Sequence, residues 1–211
     1  MLYVILVLVV GYLFGCIQTG YVVGKINKID IRDYGSGNSG TTNVLRTLGF
    51  PWAAITFLGD ALKGLIWLLI VRYFIAPMAP DMNSQVLCLL AGLGAVLGHN
   101  YPFELQFKGG KGIATSVAIM IGYDWRMGLI GILVFLIVCA LTRYVSLSSL
   151  CFAASLPVTF LIFHFGHWGQ FVLILIYTFS AFYRHKSNIE RLRAGTESKI
   201  GQKAEKTPVK K

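Results

Sequence analysis

The sequence predicts an all-α, polytopic membrane protein with seven transmembrane helices, an N-terminus outside and a C-terminus in the cytoplasm. Of its 211 residues, 55% are hydrophobic and only 13% are charged, and the mean hydropathy is +0.66. Soluble domains carry about 25% charged residues. The charge is also uneven, because nine of the 19 basic residues lie within 184–211. The rest of the chain has too few polar residues to cover a water-soluble surface. This excludes a soluble enzyme, a disordered chain and a nucleic-acid-binding domain.

Six apolar stretches define the expected spans, because about 20 mainly apolar residues are needed to cross the hydrocarbon core. They are 1–24, 51–76, 84–98, 113–123, 127–142 and 144–183, the last being long enough for two helices. We expect an interfacial turn, rich in glycine and aromatic residues, to split that stretch at 164–169. His164 and His167 lie in this turn, but no carboxylate or third metal ligand is near them in the sequence. The four cysteines are isolated within apolar stretches and are interpreted as small core residues.

The segment 113–123 decides the topology. As a helix it covers only about 17 Å of a hydrocarbon core of about 30 Å, so a re-entrant segment is an alternative. If it crosses, 16 basic residues face the cytoplasm and only Arg72 and Arg126 face outside. If it does not cross, the basic tail moves outside, against the tendency of basic residues to remain inside. We therefore predict seven spans in a single membrane domain, residues 1–198, and a basic, disordered cytoplasmic tail at 199–211.

This topology brings two glycine-rich loops to the cytoplasmic face, of which the first reads GSGNSGTTNVLRTLG at 35–49. Closely spaced glycines let backbone N–H groups converge on an anion, and Arg46 offers a planar fork suited to phosphate. The loop contains GxGxxG, but a membrane helix precedes it where a dinucleotide site needs a strand. The candidate phosphate ligands of this loop are Ser36, Gly37, Asn38, Gly40, Thr41, Asn43 and Arg46.

The second loop contains KGGKG at 108–112, immediately before a helix. Two cations, exposed amides and a helix N-terminus all favour phosphate, whereas the spacing does not match a Walker A nucleotide loop. Its candidate ligands are Lys108, Gly109, Gly110 and Lys111. Two phosphate loops on one face indicate a pair of phosphorylated substrates rather than one nucleotide.

Two further segments are expected on the same face, RYVSLSS at 143–149 and HKSNIERLRAGTE at 185–197. Together with SGNxGxTNxxRxxG at 36–49 and GHxxP…FKGGKGxAT at 98–115, they resemble the bacterial acyl-phosphate:glycerol-3-phosphate acyltransferase family over nearly the whole chain. The resemblance implies transfer of an acyl group from acyl phosphate to the sn-1 hydroxyl of glycerol 3-phosphate. The products would be lysophosphatidic acid and phosphate.

The resemblance also implies roles for individual residues. Ser36, Arg46, Lys108, His185 and Asn188 would hold glycerol 3-phosphate, while the first loop and Ser146 would help to hold the acyl phosphate. The candidate catalytic residues are His99, His185 and Ser146. Either histidine could act as base, because a histidine titrates near neutral pH, and a substrate phosphate oxygen is the alternative. Positioning the two anions and stabilising the carbonyl oxygen can supply most of the rate.

The expected surroundings are a lipid bilayer, specifically the bacterial cytoplasmic membrane with the active site facing the cytosol. We expect no cofactor, no metal and no nucleic acid, and the sequence leaves the oligomeric state open, with a monomer as one alternative. A transporter of organic phosphates is a rival, although the halves show no repeat and the polar motifs lie at one face. Another rival is a CDP-alcohol phosphotransferase, which would need clustered carboxylates for metal.

This interpretation leaves two features of the sequence unexplained. Asp60 and Lys63 share one helix face inside a span, either as a structural pair or as part of the site. Glu104 stands where the family is usually apolar, and its spacing from His99 superficially resembles the HX4D dyad of unrelated coenzyme A-dependent acyltransferases.

Overall fold

The computed structural model describes residues 1–203, and this part of the chain is helical without a strand. The all-α prediction is confirmed for these residues, and the end of the expected tail, 204–211, lies outside them. The α-helices of the described chain are α1 Leu2–Cys16, α2 Thr19–Ile26, α3 Thr41–Leu48, α4 Phe50–Ile70, α5 Ser84–Asn100, α6 Ile113–Tyr123, α7 Trp125–Thr142, α8 Val145–Phe163, α9 Trp168–Arg184 and α10 Lys186–Arg193.

Five helical segments within residues 1–203 are long and apolar enough to cross a membrane. They are Leu2–Ile26, Phe50–Met78, Ser84–Leu105, Trp125–Thr142 and Val145–Phe163. Large apolar side chains stand exposed along them, as at Leu133 and Leu141 of α7, and such a surface suits lipid rather than water. The chain therefore has the character of an integral membrane protein. The helices α6 and α9 are shorter, with 11 and 17 residues, and the count of seven depends on them.

The first apolar stretch gives one candidate span, Leu2–Ile26, in agreement with the prediction for 1–24, but its helix is interrupted. α1 ends at Cys16, and Ile17 follows in an extended conformation with ψ of 102°. The carbonyls of Gly15 and Ile17 accept hydrogen bonds from the ammonium group of Lys63 at 2.9 and 2.6 Å. A buried cation from α4 thus satisfies carbonyls that the break removes from the helical ladder, which a span through lipid requires.

Glycines bring α1 and α5 into close contact. A Cβ atom on Gly15 would lie 2.1 Å from the carbonyl oxygen of Ala95, and one on Gly98 would lie 2.0 Å from that of Tyr12. Small residues at such an interface let two helix backbones approach closely inside a membrane. α5 is also the most buried of the five long segments. Its last turn, with His99, is therefore held in the interior beside the break between α1 and α2.

A second polar contact joins the α6–α7 corner to the turn between α8 and α9. The Asp124 carboxylate accepts a hydrogen bond from Arg126 at 2.6 Å and lies 2.8 Å from Nε2 of His164. The hydrogen bonds from Arg126 hold the pKa of Asp124 down at about 2. Tertiary contact thus brings to His164 the carboxylate that is not near it in the sequence. Even so, no group of three or more His, Cys, Asp or Glu side chains that could hold a metal occurs within residues 1–203.

Candidate active site

A cavity of about 410 Å³ lies where the two glycine loops meet the α7–α8 corner and α10. Its polar walls are formed by Ser36, Asn38, Thr41, Asn43, Arg46, Lys111, Ser146, Ser149, His185, Asn188 and Glu197. Its apolar walls come from α4, α6 and α7, through Phe57, Ile113, Val117, Ile132, Phe135, Leu136 and Cys139. One cavity therefore offers a polar end for charged groups and an apolar slot that continues from it.

Two asparagines shape the first loop. The amide of Asn43 donates to the carbonyls of Ile31 and Tyr34, both at 3.0 Å, and its oxygen accepts from the backbone N–H of Ser36 at 3.0 Å. Asn38 accepts from the backbone N–H of Gly40 at 2.8 Å. Asn43 was predicted as a substrate ligand, and the structure shows that its side chain organises the loop through these bonds.

Two buried donors of the same loop have no partner in the described chain. They are Nε of Arg46 and the hydroxyl of Thr41, and both residues line the cavity. Arg46 is oriented by the hydrogen bond from its Nη2 to the carbonyl oxygen of Ser198 at 2.9 Å. Leaving a buried polar atom unpaired costs about 1–3 kcal/mol, so donors left free at a cavity wall fit an anionic ligand.

The second loop is fixed from two sides. Nη2 of Arg184 donates to the carbonyls of Gly109 and Gly110 at 3.0 and 2.7 Å. The amide of Asn38 donates to the Gly109 carbonyl at 3.3 Å, which joins the two loops. A side chain at Gly110 is excluded, because a Cβ there would lie 1.9 Å from Nε2 of His99. The two loops thus form one unit at the cavity.

The two lysines of the KGGKG motif are placed differently. Lys111 lines the cavity and donates to the side-chain oxygen of Asn188. Burial lowers the pKa of Lys111 to about 8, with the charge of Glu197 acting in the opposite direction, so the group is mostly a cation at neutral pH. Lys108, which the resemblance assigns to glycerol 3-phosphate, is exposed and is not among the residues that line the cavity.

The third motif converges on Glu197. Its Oε1 accepts from the Ser146 hydroxyl at 2.8 Å and from the Asn188 amide at 2.7 Å, and its Oε2 accepts from Nε of Arg191 at 2.6 Å. Burial alone would raise the pKa of Glu197, but these hydrogen bonds together lower it. A charged carboxylate therefore orients Ser146 and Asn188, two of the predicted site residues, at the cavity wall.

His185 is neutral at physiological pH. Its Nδ1 donates to the carbonyl of Ala181 at 2.8 Å, which leaves Nε2 unprotonated as an acceptor. Burial, followed by the charge of Lys111, lowers the pKa of His185 to about 4. The lowered pKa makes this side chain better suited to accepting a hydrogen bond from a hydroxyl group than to removing a proton, and its role in catalysis stays a prediction.

His99 is 4% exposed and has a different set of neighbours. Its Nδ1 lies 2.8 Å from Nζ of Lys63 and 3.7 Å from the Asp60 carboxylate. Glu104 is exposed on a short 3-10 turn. Nδ1 of His99 faces Lys63 and Asp60 of α4 and not Glu104. Asp60 and Lys63 pair at 3.1 Å. Asp60 and His99 also line the cavity, so the pair adjoins the site.

The model of the Glycerol-3-phosphate acyltransferase family matches residues 5–195 of this chain. The chain belongs to that family. It is 44% identical over 208 residues to the glycerol-3-phosphate acyltransferase of Thermoanaerobacter pseudethanolicus, covering 97% of this chain and 99% of the relative. It is 45% identical over 202 residues to that of Clostridioides difficile, covering 95% and 97%.

Two solved structures share the fold of this glycerol-3-phosphate acyltransferase. Both are crystal structures of PlsY (YgiH), an integral membrane glycerol 3-phosphate acyltransferase, and both are 33% identical to the chain. The glycerol 3-phosphate form gives a TM-score of 0.85 and covers 94% of this chain and 96% of the other. The lysophosphatidic acid form gives 0.82, with 94% and 95% covered. The chain is therefore an integral membrane acyltransferase.

The sequence analysis missed two residues that build this acyltransferase's site. Arg184 was counted only among the basic residues of the tail region, and no local pattern indicates that it holds the second loop. Glu197 was quoted only as part of the third motif. The charge pattern does not single out Glu197, because the same segment contains a second acid, Glu190.

Proposed function

We propose that the chain transfers an acyl group from acyl phosphate to glycerol 3-phosphate, giving lysophosphatidic acid and phosphate. The reaction takes place on the cytosolic side of the bacterial cytoplasmic membrane. The observation that carries this proposal is the cavity itself, in which cationic and hydroxyl-bearing walls continue directly into an apolar slot. Such a cavity suits two phosphates and one acyl chain at the same time.

Glycerol 3-phosphate fits the polar end. Arg46 and Lys111 supply positive charge from the two loops, and the free Nε of Arg46 is available to a phosphate oxygen. Asn188 and His185, from the α9–α10 junction, can hold the glycerol hydroxyls. The carboxylate of Glu197 does not repel the substrate, because it is engaged by Arg191, Ser146 and Asn188.

The acyl chain of the donor fits the slot between α4, α6 and α7. Phe57 and Leu136 line this slot and are also exposed on the outer surface of the helices. An acyl chain can therefore run from the cavity toward the bilayer, while its phosphate stays between the first loop and Ser146. The acyl chain can thus stay in apolar surroundings as it passes from the bilayer to the slot, which suits a lipid-soluble donor.

The reaction needs little acid catalysis, because phosphate is a good leaving group from an acyl phosphate. The sn-1 hydroxyl attacks the acyl carbonyl carbon, the bond to the phosphate oxygen breaks, and the hydroxyl proton passes to the departing phosphate. A pKa of about 4 makes His185 a weak base, so it orients the hydroxyl rather than removing its proton. Holding both substrates in line supplies the main acceleration.

Seven spans, with the N-terminus outside, follow if α6 and α9 cross in addition to the five long segments. The distribution of 16 basic residues on one side and two on the other supports this arrangement.

The test is the reaction of the purified protein with palmitoyl phosphate and glycerol 3-phosphate, without metal or nucleotide, scored for lysophosphatidic acid. We expect turnover with palmitoyl phosphate and none with palmitoyl-coenzyme A, because within residues 1–203 no lysine or arginine outside the two loops lines the cavity to hold a nucleotide. Comparable turnover with palmitoyl-coenzyme A would overturn the choice of donor. Uptake of glycerol 3-phosphate into proteoliposomes without product would favour a transporter instead.

A further inference from the structure

The ion pair of α4 lies deep in the protein and is connected to more than itself. The side chains of Asp60 and Lys63 are only 2% and 4% exposed, a placement that is costly in a membrane unless the charges are used. The Lys63 ammonium has four acceptors within 3.1 Å: the carbonyls of Gly15 and Ile17, the Asp60 carboxylate and Nδ1 of His99. An ammonium group has three protons, so these four acceptors engage all three protons.

One branch of these contacts leads to the second loop. Because Lys63 donates to Nδ1 of His99, the imidazole carries its proton on Nε2. That nitrogen lies against Gly110, where even a Cβ atom would be 1.9 Å away. The backbone N–H of Gly110 also donates to the His99 carbonyl at 2.9 Å. The His99 ring thus packs against Gly110 and the His99 carbonyl holds its N–H, and the next residue is Lys111 of the cavity wall.

The other branch leads to the first loop. Lys63 caps the carbonyls at the break after α1, and Gln18 follows directly in that break. The amide of Gln18 donates to the His99 carbonyl at 3.1 Å and to the Gly15 carbonyl at 3.3 Å. Its oxygen accepts from the Ser39 hydroxyl at 3.0 Å. Ser39 is 1% exposed and stands between Asn38 and Gly40, which both line the cavity.

We propose that Lys63 is a positioning residue that holds the two phosphate-binding loops in register, acting through His99 on one side and through the break at Gln18 on the other. This rests on the proposed function, in which both loops bind substrate phosphates. A purely structural ion pair is commonly replaced by apolar or neutral residues without loss, whereas removing one partner alone is destabilising. Lys63 should behave differently, because its contacts to the carbonyls and to His99 have no substitute.

The test compares Lys63→Met, Asp60→Asn and the double variant. For each we measure Tm, the Kd for glycerol 3-phosphate by calorimetry, and kcat and KM with palmitoyl phosphate. Lys63→Met leaves a buried carboxylate unpaired and should lower Tm strongly. The double variant removes the unpaired charge and should regain part of that Tm, while the part that depends on the hydrogen bonds to the Gly15 and Ile17 carbonyls stays lost. Its Kd and KM for glycerol 3-phosphate should nevertheless stay at least about tenfold above wild type, the effect of losing one charged hydrogen bond.

Wild-type binding and kinetics in a folded double variant would overturn the proposal and leave the pair a structural one. Gln18→Leu provides a second route, because it cuts the branch to the first loop without changing a charge. We expect a raised KM in this variant, and wild-type kinetics would equally count against the proposal. The control is Tyr177→Phe, which removes a buried hydrogen bond to the Leu89 carbonyl on the same helix as His99. It should lower Tm slightly and leave KM unchanged.

The two proposals can fail separately. If the wild-type protein binds glycerol 3-phosphate but makes no lysophosphatidic acid from palmitoyl phosphate, the choice of donor is wrong. The Kd values of the variants still decide the role of Lys63 in that case.

Discussion

The cations of the site differ in how many of their donors are already engaged. Arg184 donates to backbone carbonyls of the second loop, and Arg191 donates to Glu197. Arg46 holds Ser198 with one nitrogen and keeps a buried Nε free. Lys111 touches one neutral amide, that of Asn188. The committed cations shape the cavity, and the less committed ones are available to the substrate.

Arg46→Lys is the first prediction at this scale. Lysine keeps the charge but loses the planar fork that fixes a phosphate. Losing one charged hydrogen bond costs about 1.5–3 kcal/mol, which lowers kcat/KM by about 10- to 150-fold. Steady-state kinetics with varied glycerol 3-phosphate measure this. The control is Arg193→Lys on the exposed surface of α10, which should be silent. Near-full activity of Arg46→Lys, at matched expression, would remove the first loop from the acceptor site.

Lys111 gives a prediction about pH. Burial lowers its pKa to about 8, so the cation is present below that pH and is lost as the pH rises through it. Since kcat/KM reports ionisations of the free enzyme, it should fall about tenfold per pH unit above pH 8. In Lys111→Arg the side chain stays charged at all these pH values, and the alkaline fall should disappear. A fall that persists in this variant would have to come from another group.

Among the elements, α5 has the tightest surroundings. Gly94 and Gly98 of α5 pack on the backbone of α1, while its last turn carries His99 beneath the second loop. A membrane interior provides little hydrophobic driving force for helix association, so close packing between helix backbones stabilises the α1–α5 contact. The packing of two helices and the placement of the site therefore depend on the same contact.

Gly94→Ala tests that contact at a distance from the cavity. The added Cβ would lie 2.4 Å from the Leu8 carbonyl oxygen, so α1 must move. Overpacking of this kind costs about 1–3 kcal/mol, and we expect a clear loss of Tm in detergent. Gly169→Ala is the matched control, because a Cβ there has nothing within 4 Å, and it should be neutral or slightly stabilising. Equal Tm values for the two variants would mean that the α1–α5 contact is not tightly packed.

At the scale of the whole molecule, the arrangement in the membrane determines which compartment supplies the substrates. The cavity is built from the first loop, the second loop, the α7–α8 corner and α10. These segments lie on one side of the membrane only if α4, α5, α6, α7, α8 and α9 each cross it once. The short helix α6 is the decisive one, because it lies between the second loop and α7.

Cysteine labelling tests this topology. Single cysteines at Asp33, Gln202 and His167, all exposed positions, are introduced after the native cysteines are replaced. In right-side-out vesicles an impermeant maleimide should label His167→Cys and leave Asp33→Cys and Gln202→Cys unreacted until the membrane is opened. Labelling of Asp33→Cys from outside would place the first loop on the wrong side and contradict a cytosolic site. Labelling of Gln202→Cys but not of His167→Cys would show that α6 does not cross, and labelling of both would show that α9 does not cross.

The sequence by itself determined the helical class and most of the helix bounds, because apolar run length is a local property that lipid selects directly. It also placed the residues of the loops and of the third motif, since Arg46, Lys111 and Asn188 indeed line one cavity. The resemblance of these motifs to a known family predicted the family of the chain, and the match to the family model confirmed it. The role given to Lys108 stays a prediction, and the structure places this residue outside the cavity lining.

Only the tertiary structure decided how these parts are held. The sequence has Gln18, Thr19 and Gly20 at the break after α1. No local pattern indicates, however, that Lys63, 46 positions away from Ile17, satisfies the carbonyls of the break. Lys199 and Ile200 were assigned to the tail, yet Ile200 donates its N–H to the Arg143 carbonyl at 2.8 Å and lines the cavity. Hydropathy is summed along the chain, whereas a buried charge is satisfied by whatever the fold brings within about 3 Å of it. The sequence therefore gives the elements and the chemistry of the loops, and the fold alone selects their partners.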